Sequence, residues 1–173
     1  MILTGNEIVK QVEAGRIRLD PFESRLATTN SYDLHLGDRM IRYTSDVLDP
    51  YEEPLYEEFL IPEEGVQMNP GDFLLGMTAE RLGSDHYVPL IHARSGIARM
   101  GLFVHVTADL IDIGSYGCST LQLYATLPVR LYRGMRIAQV TFWVPKGDVV
   151  LYNGKYQGSD GPRPSLTWKE CQS

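Results

Sequence analysis

Punctuation is what most limits the folds open to this chain. Short runs of β-favouring residues at 32–36, 40–43, 59–61, 73–78, 88–92, 103–106, 120–124, 139–144 and 149–152 are separated by Gly, Pro, Asp and Asn. Strands so short, with turn signals between them, predict a mainly β sandwich or barrel of the jelly-roll kind. Helices have little room. Thr4-Gly5-Asn6-Glu7 is a capping box, Leu3 and Ile8 fit the accompanying hydrophobic staple, and Gly15 is a natural stop. A short N-terminal helix is therefore expected over 5–14, and 94–100 is the one other helical candidate.

At 173 residues the chain is one domain of ordinary size, able to bury a core without disulfides or a structural metal. Its net charge of −6 argues against a nucleic-acid surface, which needs a basic stripe. Cys118 and Cys171 show no pairing pattern, and no signal-peptide pattern or membrane-length apolar run is present, so the expectation is a soluble, cytoplasmic protein that binds no membrane. The acidic run at 46–64 is expected to be a solvated excursion; the competing carboxylate metal site lacks regular spacing.

Chemistry is concentrated in 93–139. Arg94, Ser95, Gly96 and Arg99 bring two guanidiniums, a hydroxyl and a close-approach backbone together, which suits a polyanion such as a phosphorylated small molecule. The bland alternative is an exposed helical turn. In the tail, 153–165 is too rich in Gly and Pro for a regular element. Its Lys155, Tyr156, Gln157 and Arg163 suit a lid over a base and a phosphate chain, against the alternative of a disordered terminus.

Several of these segments together resemble the dCTP deaminases, trimeric relatives of the dUTPases. The resemblance is carried by Arg94-Ser95-Gly96-Ile97-Ala98-Arg99-Met100-Gly101-Leu102, Val104-His105-Val106-Thr107-Ala108, and Ile111-Asp112 with Gly114 and Gly117. Upstream Ser31-Tyr32-Asp33-Leu34-His35-Leu36-Gly37 joins it, as do Gly134-Met135-Arg136-Ile137 and the tail Lys155-Tyr156-Gln157-Gly158 with Gly161-Pro162 and Pro164-Ser165. It implies a distorted, dUTPase-like β-barrel or jelly roll formed by 1–173 as one domain, with 153–173 as a lid. It also implies a homotrimer with nucleotide sites between subunits, and dCTP or dUTP as ligand. By the same resemblance Arg94, Ser95, Gly96 and Arg99 hold phosphates and position water. Ala108, Asp112 and Tyr116 lie beside the sugar and base, and Tyr152, Lys155 and Tyr156 belong to the lid. Mg²⁺ is expected, held mainly by triphosphate oxygens. The zinc-deaminase signature of His-x-Glu with Pro-Cys-x-x-Cys is absent from the sequence.

Four departures stand out. Gln122 replaces the family glutamate expected to take a proton from water, and an amide cannot do that work. Gly96 replaces a serine, the hairpin at 125–127 is short, and Ser159 stands where glutamine is common. The readings rank as dCTP deaminase, then a dUTP or dCTP diphosphatase using Asp112, then a non-catalytic nucleotide binder. Asp109 is the nearest substitute base in sequence, although a solvated loop carboxylate is the better account of it. Sedimentation tests the assembly: a trimer is expected at micromolar concentration, and a stable monomer contradicts the resemblance.

Overall fold

The computed structural model describes residues 1–172. Helix α1 (Gly5–Glu13) begins where the sequence marks it, with the Glu7 N–H donating to Thr4 Oγ1 at 3.4 Å. The reciprocal capping bond gives way to a bond one turn on, in which Gln11 Nε2 donates to Glu7 Oε1 at 2.5 Å. Ile8 is fully buried, and Gly5 sits so close to the Thr28 carbonyl that an added Cβ would lie 1.7 Å from its oxygen. The helix is thereby pinned to the sheets at its first residue.

Eleven strands follow: β1 (Arg18–Asp20), β2 (Tyr32–His35), β3 (Arg39–Tyr43), β4 (Tyr56–Leu60), β5 (Val66–Met68), β6 (Phe73–Gly83), β7 (Val88–Ala93), β8 (Leu102–Phe103), β9 (Tyr116–Ala125), β10 (Val129–Leu131) and β11 (Arg136–Trp143). One-turn helix α2 (Ser95–Ala98) joins β7 to β8, and α3 (Trp168–Cys171) closes the described chain. Every ladder is antiparallel. The larger sheet runs β4-β3-β6-β9-β8 with β1 also on β6, a second runs β2-β11-β7, and β10 pairs with β5. The expected mainly β architecture is formed as sheets around a shared core; among the described residues their pairing does not close into one continuous barrel. No described helix is long and apolar enough to cross a membrane.

Three expectations are corrected. The acidic run is not all excursion, because β4 pairs with β3 and sets Glu57 against Arg42 at 2.7 Å and Glu58 against Arg39 at 3.2 Å. The β8 strand stops at Phe103, so 104–106 is loop. Residues 149–152 form no strand; Tyr152 N donates to Ile113 O, and Lys155 and Tyr156 follow in turns.

Period-two alternation decides what β9 offers to each side. Leu121 and Leu123 are fully buried in the core, while Thr120, Gln122 and Tyr124 face the other way. The β6–β9 ladder shifts register between Met77 and Arg81. Thr78 Oγ1 bridges the break, donating to Glu80 O at 2.7 Å and accepting from Ser119 N at 2.9 Å. Glu80, 2 % exposed, accepts from His35 N at 2.9 Å and meets His35 Nδ1 at 2.5 Å. His35 is thus a structural clamp. His35→Ala removes one partner of a buried carboxylate and is expected to cost about 1–3 kcal/mol; urea unfolding should show a lower midpoint with an unchanged slope.

Candidate active site

The free edge of β9 is shared between two partners. At its far end β8 pairs Leu102 with Ala125 and Phe103 with Tyr124. At its near end the tail docks, with Cys118 N donating to Ser159 O at 2.8 Å and Gly158 N donating to Tyr116 O at 3.0 Å. Gly117 permits this approach, since a Cβ there would lie 2.7 Å from Ser159 O. Between the two partners the edge is open. A cavity of about 830 Å³ fills that gap, floored by 115–120 and Gln122, walled by Phe73, Leu75 and Tyr124, and overhung by the 105–108 loop.

The tail forms the rim through further bonds. Arg163 N donates to Thr120 Oγ1 at 3.0 Å, Ser165 N to Tyr43 Oη at 2.9 Å, and Leu166 N to Tyr156 Oη at 3.0 Å. Gln157 straps the turn down, accepting from Tyr116 N at 2.8 Å and donating to Gly114 O at 2.9 Å. Tyr116 lines the cavity with its ring between the guanidiniums of Arg18 and Arg81, 4.7 and 5.2 Å from the ring centroid. Lys155 is committed elsewhere: its Nζ meets Glu170 Oε1 at 2.5 Å, and that hydrogen bond raises the ammonium's pKa. Tyr152 Oη accepts from Tyr156 N at 3.1 Å and so braces the turn that carries Lys155 and Tyr156.

No Asp or Glu lines the cavity. Its ionisable neighbours are tyrosines, Arg163, Cys118, whose thiol burial pushes up, and His105, which burial brings down to about 4. Gln122, Ala108, Tyr116 and Tyr156 meet here as the sequence suggested. Asp112 does not line the cavity; it is exposed, and its carbonyl accepts from Ser115 N at 3.0 Å.

A second cluster lies on the β2-β11-β7 sheet. There Gln139 pairs with both Asp33 and His92, so Asp33 comes across β11 from the end of β7. Asp33 is 3 % exposed and accepts from Arg94 Nε at 3.1 Å and Arg136 NH1 at 3.4 Å. One buried carboxylate thus holds two guanidiniums, leaving a net positive patch with Arg94's terminal nitrogens available. Ser95 and Gly96 follow on α2 and Arg99 caps its C-terminus, all three exposed, and an added Cβ at Gly96 would meet nothing within 4 Å. None of these residues lines the cavity, so within one chain the arginine cluster and the apolar cavity are separate. Sequence reasoning passed over Asp33 and Arg136 as functional residues, and it did not single out His105.

A family model for dCTP deaminase-like proteins matches residues 2–144. The chain belongs to the dCTP deaminase family. It is 38 % identical over 173 residues to "dCTP deaminase, dUMP-forming" of Leptospira biflexa serovar Patoc, covering 99 % of each. It is 40 % identical over the same length to the protein of that name from Clostridium botulinum, again covering 99 % of each. Among solved structures, the 2'-deoxycytidine 5'-triphosphate deaminase of Agrobacterium tumefaciens superposes with a TM-score of 0.66 at 19 % identity, over 83 % of this chain and 48 % of that one. That likeness establishes the fold.

Arg94→Ala should weaken binding of the triphosphate ligand expected from the motifs by about 1.5–3 kcal/mol, as loss of a charge-assisted contact. Asp33→Asn should weaken it less, because Arg94 remains but is no longer held. Calorimetric titration checks both, and unchanged affinity in Arg94→Ala would move the phosphate site elsewhere.

Proposed function

We propose that this enzyme hydrolyses the C4–N4 bond of dCTP to give dUTP and ammonia in the cytoplasm, at a site shared between subunits of a homotrimer. The observation that carries the reading is end-to-end similarity to enzymes named dCTP deaminase, at 38 % identity over 173 residues. The geometry supports it in two ways. The cavity offers an uncharged ring Ser119, Thr120 and Gln122 among apolar walls, and it holds no carboxylate to oppose an anion. The Arg94 turn is exposed and stands apart, as a turn that completes a neighbouring subunit's site should.

In the reaction, water attacks C4, the C4=N3 electrons move to N3, and a base takes the water's proton. Protonation of the amino group then breaks the C4–N4 bond, ammonia leaves, and the hydroxyl proton passes to N3 as the carbonyl is restored. Gln122 can orient the ring or the water through its amide but cannot accept that proton. Arg94, Arg99 and Arg136 would hold the phosphate oxygens as forks. Mg²⁺ would arrive with the triphosphate and offset its charge.

A second hydrolysis, of the triphosphate to the monophosphate, has support of its own. The relatives are named as dUMP-forming. Asp112 lies outside the base cavity with an exposed side chain, free to activate water against the α-phosphorus. Incubation with dCTP and with dUTP separates the readings. Ammonia from dCTP is expected; pyrophosphate release adds the second step, and tight binding without either product would leave a non-catalytic nucleotide binder.

A further inference from the structure

The deaminase reading leaves a proton without an acceptor, because position 122 holds an amide and no Asp or Glu lines the cavity. Asp109 does not fill the gap: its carboxylate lies 3.9 Å from His92 Nδ1, 47 % exposed and off the cavity wall. Among the described residues that line the cavity, His105 is the only imidazole. Both ring nitrogens of His105 are buried without a hydrogen-bond partner. Buried polar atoms are nearly always paired, so two orphaned nitrogens on a residue of the cavity lining mark a ring that gains its partner when the site is filled and the side chain turns to it.

Resting on that reading, we infer that His105 is the base of the deamination, taking the proton of the water that attacks C4 and passing it to the departing nitrogen. The imidazole lone pair forms the new N–H bond as the water's O–H bond breaks and its oxygen bonds to C4. The same proton then moves to N4 as the C4–N4 bond cleaves, and the remaining hydroxyl proton goes to N3 as the C4 carbonyl forms, so the imidazole returns neutral with no other reactant consumed.

The surroundings suit the role. Burial is the main influence on His105 and lowers its pKa to about 4; Gln122 beside it and Asp109 raise it, and His92 lowers it further. The ring is therefore neutral at pH 7. Its basicity is about that of an ordinary glutamate, whose pKa is roughly 4.3, so it stands in for the carboxylate that Gln122 displaced. The Gln122 amide is adjacent but outside hydrogen-bond geometry with the ring. Contacts of this kind commonly tighten only when substrate is bound, and an amide oxygen accepting one ring N–H would leave the other nitrogen bare.

The experiment compares wild type, His105→Asn, and His105→Asn combined with Gln122→Glu, reading ammonia release from dCTP and dCTP affinity on the intact protein. His105→Asn should lose ammonia release by about 10²–10⁴-fold while affinity stays within about threefold, and adding Gln122→Glu should restore release. Wild-type activity should fall as pH drops through the base's pKa, and that limb should move with temperature as an imidazole's does and a carboxylate's does not. Ammonia release by His105→Asn within about threefold of wild type would overturn the inference and leave the deaminase reading intact. Joint loss of affinity and activity that Gln122→Glu does not restore would also overturn it, giving His105 a packing role. No ammonia from wild type would overturn the deaminase reading itself, and the inference with it.

Discussion

The break in the β6–β9 ladder is the constraint on which the rest turns. A register shift between Met77 and Arg81 would leave backbone groups and a carboxylate stranded inside the protein, at a cost comparable to several ordinary hydrogen bonds. The chain meets this with Thr78, Glu80 and His35 as one polar unit, every link of which is made. The shift falls opposite 118–120, the part of β9 that floors the cavity. A feature that looks like local irregularity therefore sets how the binding surface is presented.

From that point the site follows by subtraction. β9 has one edge on β6 and another that β8 and the tail cover only at its ends. What neither covers is the opening above Thr120 and Gln122. The arginine cluster obeys a separate logic, that of β11 with β2 on one side and β7 on the other, which brings Asp33, Arg94 and Arg136 together from distant parts of the sequence.

These two logics explain what could be read in advance. Helix α1 was legible because its signals are local, from Thr4 at one end to Gly15, with φ of +70°, at the other. The longer strands were legible as β-favouring runs, whereas three-residue β1, β5 and β10 are too short to give such a run, and the Arg94 turn was legible only as a dense group of cationic and hydroxyl side chains. Asp33 was not legible as a holder of arginines, since only strand register reveals it. Lys155 looked free for phosphate because Glu170, its partner, gives no sign in the sequence of folding back. His105 sat inside an apparent strand, where a histidine reads as packing; the strand's end at Phe103 is what turns it toward the cavity.

The docked tail has one more consequence. By bonding to Tyr116 and Cys118 it occupies backbone groups of β9 that would otherwise stand as an open strand edge. Bare edges recruit strands from other molecules. The segment that closes the cavity therefore also acts as a guard against aggregation, and proteolytic loss of it would threaten solubility as much as turnover.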